Sequence, residues 1–81
     1  MSDERTVKDG FLDTVQKQID TGEPPEARAT YDRLMSTGHS ETEALHLITA
    51  VLRSEMNKMI EASQPFDTPR YVELLKKLPN L

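Results

Sequence analysis

Apolar side chains recur along this chain at intervals of three and four residues, in four separate blocks. Val7, Phe11, Val15 and Ile19 fall four apart, and Leu12 widens the same face. Ala27, Tyr31, Leu34 and Met35 form a second stripe, and Ala44, Leu45, Ile48, Val51, Leu52 and Met59 a third. Tyr71, Leu74, Leu75 and Leu78 close the series. Each spacing is that of a helix buried along one side. No stretch sustains period-two alternation and no Asn-Gly or Asp-Gly joins two apolar runs, so no strand or hairpin is predicted.

The helix boundaries are predicted by residues with a mechanism. Gly22 suits the left-handed residue that ends the first helix, which is expected from about Val7 to Asp20; Gly10 inside it costs about 1 kcal/mol relative to alanine. That cost leaves a start nearer Gly10 open as well, with residues 1–6 a loose N-terminal arm and residues 7–81 one domain. Pro24-Pro25 opens the second helix, because a first-turn proline gives up an amide that would have no partner anyway. Gly38 ends it, and Ser40 with Glu43 has the spacing of a capping box that starts the third helix at Glu41 and carries it to about Ala62. Asp67-Thr68-Pro69 starts the fourth, with Thr68 as cap and Pro69 as first helical residue, and Pro79 stops it. Gln64-Pro65-Phe66 is the connector, with Phe66 expected to fold back onto the core. The fold class is all-α: a small four-helix, bundle-like domain with a long third helix.

That third helix carries the most information. Placed at about 100° per residue, its core positions, extended by Met56 and Ile60 on one margin and Leu47 on the other, span an arc of about 220°, wider than the roughly 100° a surface helix needs. Such a helix is either central in its bundle or shared with a second chain. Near the middle of the arc, between Leu52 and Met59, stands Glu55. A buried carboxylate needs a partner, and Arg28, Arg33, Tyr31, Arg70 and Tyr71 are the available ones.

Size sharpens the choice. A chain of 81 residues buries only about 60% of its unfolded surface and has a thin core. It contains no cysteine, so no disulfide adds stability, in keeping with a reducing compartment. Oligomerisation is the remaining route to more buried area. The net charge is −4, with no basic run, which argues against a nucleic-acid partner. The helix-turn-helix lengths of Tyr31–Leu52 do not alter that, since Glu41 and Glu43 would sit where a recognition helix meets phosphate. No apolar stretch approaches the roughly 18 residues of a membrane span, and the Met-Ser-Asp-Glu-Arg-Thr start precedes no apolar run. A soluble cytoplasmic protein is expected.

Catalytic patterns are missing. There is no nucleophile-base arrangement, phosphate loop or dinucleotide fingerprint, so the reading is of a non-enzyme without a cofactor. The two histidines, His39 and His46, match neither His-Glu-x-x-His nor Glu-x-x-His. An alternative is nonetheless a metal or small-ligand binder using His46, His39 and Glu55.

Two resemblances follow from the motifs. Phe11 to Met56, through Gln18-Ile19, Pro24-Pro25-Glu26, Ala29-Thr30, Arg33-Leu34, Gly38, Glu43-Ala44-Leu45-His46 and Val51-Leu52, resembles a family of small, uncharacterised bacterial helical proteins. The family implies a helical fold and no known activity; its members often carry further histidines in the first helix, which this chain lacks. More locally, Leu34-Met35-Ser-Thr-Gly38-His39-Ser40 followed by Glu43-Ala44-Leu45 is similar to the first loop of ubiquitin-associated domains. That likeness implies a contact through Met35, Gly38 and His39, although the helix that follows is far longer here. The functional expectation is a protein-interaction module, a homodimer or a docking subunit, with Leu47, Met56, Met59 and Ile60 as contacts and Glu55 as a possible buried polar site.

Overall fold

The structure, a computed structural model, describes residues 10–80. The N-terminal arm expected at residues 1–6 and the apolar position Val7 lie outside the described residues. Within them the chain forms four helices and no strand: α1 Gly10–Thr21, α2 Pro25–Ser36, α3 Glu41–Ala62 and α4 Thr68–Lys77.

The helix ends follow local chemistry. Gly22 (φ +73°) and Gly38 (φ +104°) both take positive φ, as their positions require. At Gly38 the turn is a Schellman motif: the amide of His39 donates to Leu34 O at 3.1 Å and that of Gly38 to Met35 O at 3.2 Å. Ser40 Oγ then accepts from the Glu43 amide at 3.1 Å while Glu43 Oε1 accepts from the Ser40 amide at 2.9 Å, completing the capping box. α4 departs from expectation by one residue. Its cap is Asp67, whose carboxylate accepts the Arg70 amide at 3.1 Å, so Thr68 and Pro69 are already in the first turn.

α3 ends where no glycine marks an end. Ser63 takes φ +52° and ψ 44°, with its amide donating to Ile60 O and the Gln64 amide to Met59 O. This is the turn that Gly22 and Gly38 make, built on a residue with a Cβ. Left-handed backbone costs a non-glycine residue roughly 1 kcal/mol, and nothing in the turn requires the serine hydroxyl. Ser63→Gly is therefore expected to raise stability by about 0.5–1 kcal/mol in urea unfolding. An unchanged or lower midpoint would mean that α3 ends elsewhere.

α3 is central: like α2, it packs against all three other helices, whereas α1 and α4 meet chiefly through the hydrogen bond from Tyr71 to Gln18. The core is Val15 and Ile19 of α1, Ala27 and Leu34 of α2, Ala44, Ile48, Val51 and Leu52 of α3, Tyr71 and Leu75 of α4, and Leu78 just beyond it. Phe66 does fold back, its ring edge-on to Tyr71 with centroids 5.5 Å apart. Met35, expected on the α2 stripe, is instead 38% exposed, because the Schellman turn carries the chain away beneath it. Two arginines tie the bundle together at helix ends. Arg33 donates from Nη1 to Leu78 O at 2.7 Å and from Nη2 to Leu75 O at 3.0 Å, and Arg28 reaches Ile19 O at 3.4 Å. Both place positive charge on the carbonyl ends of α4 and α1, where orphan acceptors and the helix dipole favour it.

Candidate functional site

α3 has 22 residues and its neighbours 12, 12 and 10. At 1.5 Å per residue it is about 33 Å long against roughly 15–18 Å for the others, so no single neighbour runs its full length. Its central position accounts for most of the wide apolar arc. Leu45, Leu47 and Met56 are half-buried and packed onto the core, and Met59 is half-buried. Ile60 is different: it is 69% exposed. Of the four contacts expected from sequence, Leu47 and Met56 thus already lean on their own chain, Met59 enters a cleft, and Ile60 stands free. Leu47 lies more than three helical turns from Met59 and Ile60, so the four do not form one patch.

The cleft, about 380 Å³, lies where α3, the Ser63–Asp67 link and α4 meet. Met59, Ala62 and Pro65 supply its apolar wall, and Glu55, Lys58, Glu61, Gln64, Asp67 and Arg70 its polar groups. Glu55 is 3% exposed, as its place in the apolar arc predicts. Of its five possible partners it takes Arg70, whose Nε lies 3.2 Å from both carboxylate oxygens. Three of the others are committed elsewhere: Arg33 and Arg28 to helix ends and Tyr71 to Gln18. The Asp67 cap is what sets Arg70 in the first turn of α4, facing back toward α3. Among the described residues no buried side-chain nitrogen or oxygen lacks a hydrogen-bond partner. Glu55 thus pairs with Arg70, and Asp67 caps α4.

The histidines do not join Glu55. His46 and Glu55 are nine residues apart on one helix, which puts them on opposite sides, His46 exposed and Glu55 buried. His39 sits in the α2–α3 turn with Nδ1 3.7 Å from Glu43 Oε1. Among the described residues no three His, Cys, Asp or Glu side chains gather as a metal site would need. Nor is any described helix long and apolar enough to cross a membrane.

The fold perturbs the ionisation of Tyr71. Burial pushes its pKa from 10.0 to about 12, with the hydrogen bond to Gln18 (Oη to Oε1, 2.7 Å) acting the other way. A raised pKa favours the neutral phenol in the folded state. Its contribution is therefore complete below pH 10 and is lost as pH rises from about 10 to 12, where the unfolded chain releases the proton first. In Tyr31→Phe, where Tyr71 is the remaining tyrosine, the 295 nm absorbance should titrate above pH 11. A midpoint near 10 would show that the ring is not buried.

Comparison with protein-family models, with curated proteins and with solved structures finds no match to this chain. The site therefore has to be read from its own geometry.

Proposed function

We propose that this domain is a protein-interaction module, a homodimer or a docking subunit, whose contact surface is the C-terminal end of α3. The observation that carries the reading is Ile60. It is a β-branched apolar side chain, 69% exposed, on the longest helix of a small domain with a thin core. Beside it the cleft holds Met59, a side chain that adapts to more than one packing partner.

The test is a photo-crosslinking residue. With p-benzoylphenylalanine at position 60, ultraviolet light should produce a covalent protein adduct in the native host, and the same residue at Lys77 should not. If position 60 gives no more adduct than Lys77, and the purified chain stays a monomer near millimolar concentration, the reading fails.

A further inference from the structure

We infer, building on that docking role, that the occupant of this surface is a second copy of the chain, with its α3 laid antiparallel across the first about a two-fold axis at Asn57. The outer face of α3 is unpartnered among the described residues. A shallow trough of about 400 Å³ runs along it, lined by Ala50, Arg53, Ser54, Asn57, Lys58 and Glu61, all of them exposed. Arg53 is held in place from the other side, its guanidinium carbon 5.6 Å from the centroid of the Phe11 ring.

Two independent features of this face select the same axis. Arg53 lies four residues before Asn57 and Glu61 four residues after it, each about 6 Å along the helix. Antiparallel pairing about Asn57 brings Arg53 level with Glu61 of the second copy, twice over. Ser54 lies three residues before Asn57 and Ile60 three after, so the same pairing brings the exposed Ile60 level with the small Ser54, where a neighbouring helix has room for it. A parallel, in-register pair would set Arg53 against Arg53 and Glu61 against Glu61, which like-charge repulsion opposes. An isologous contact requires a surface that complements itself, and this one does so in charge. One helix face per copy is a small interface, so the dimer should be weak, roughly micromolar to millimolar in Kd.

Charge reversal tests the register on the full chain. By light scattering from roughly 10 µM to 1 mM, the wild type should dimerise, and Arg53→Glu and Glu61→Arg should each weaken dimerisation about tenfold or more. Mixed in equal amounts, the two variants should recover the wild-type affinity as a heterodimer, because every facing pair is then of opposite sign. A cysteine probe guards against a variant that fails to fold. The chain has no cysteine, so Asn57→Cys alone should oxidise to a disulfide-linked dimer several times faster than Lys76→Cys. A wild type that stays monomeric to 1 mM overturns the second copy as occupant, while an adduct from position 60 to another protein would leave the docking reading standing. A dimer indifferent to both charge reversals, or equal oxidation of the two cysteine variants, overturns the Asn57 axis.

Discussion

Leu52→Ala is expected to cost about 2–5 kcal/mol of folding free energy, the range for removing a leucine side chain from a packed core. Leu52 is 3% exposed and sits on the face of the helix that touches all three others. An 81-residue domain at about 0.05–0.15 kcal/mol per residue has roughly 4–12 kcal/mol in all. The substitution should therefore leave the chain largely unfolded or lower its urea midpoint severely. The informative comparison is along the same helix. Ile60→Ala removes a side chain of similar size from a site 69% exposed, so in the monomer it should move the midpoint by less than about 0.5 kcal/mol. If Leu52→Ala leaves the melting temperature untouched, or if the two variants are equally destabilised, α3 is not oriented as described.

The contrast between those positions also shows what could be read from residues alone. The helices and most of their ends were legible because their signals are local. Gly22, Pro25, Gly38 and the Ser40–Glu43 box each act within one turn of themselves. The end of α3 falls at Ala62 as expected, although the left-handed residue that closes it is Ser63 rather than a glycine. Asp67 outcompetes Thr68 as the α4 cap because its carboxylate is the one placed three residues ahead of the Arg70 amide. Long-range choices left no such mark. Arg33 acts on carbonyls 42 and 45 residues away, and no pattern around residue 33 indicates that reach.

The wide arc of α3 was legible as a fact and ambiguous as a cause. A helix that is apolar over most of its girth has either three neighbours of its own or a neighbour from another chain. Here the three neighbours cover Ala44, Ile48, Val51, Leu52 and the buried part of Glu55, while Ile60 is left to solvent. The expected contact surface contracts accordingly, from four residues spread along the helix to its last turns. The same geometry explains the candidate site. The link from Ser63 to Asp67 is short, so α4 must turn back directly against the end of α3. This places the first turn of α4 opposite Glu55 and opens the cleft between them.

Removing Arg70 should be worse than removing Glu55. In Arg70→Ala the Glu55 carboxylate, its side chain 2% exposed, stays where it is and loses its partner. Stranding one member of a buried pair costs about 3–5 kcal/mol. Arg70 is itself 49% exposed, so water screens the pair and can reach part of the gap; about 1–3 kcal/mol is the expectation here. Glu55→Met removes the charge together with its need for a partner, fills a similar volume and suits a helix. Its stability should lie within about 1 kcal/mol of the wild type, and the double variant Glu55→Met, Arg70→Ala should recover most of what Arg70→Ala loses. Urea unfolding of the three variants reads the cycle directly. Recovery in the double variant would mean that Glu55 sets where α4 docks without adding much to how firmly the domain holds together. If Glu55→Met instead falls as far as Leu52→Ala, the carboxylate is itself a main support of the core, and the α3–α4 junction depends on charge rather than on the apolar contacts of Tyr71 and Leu75.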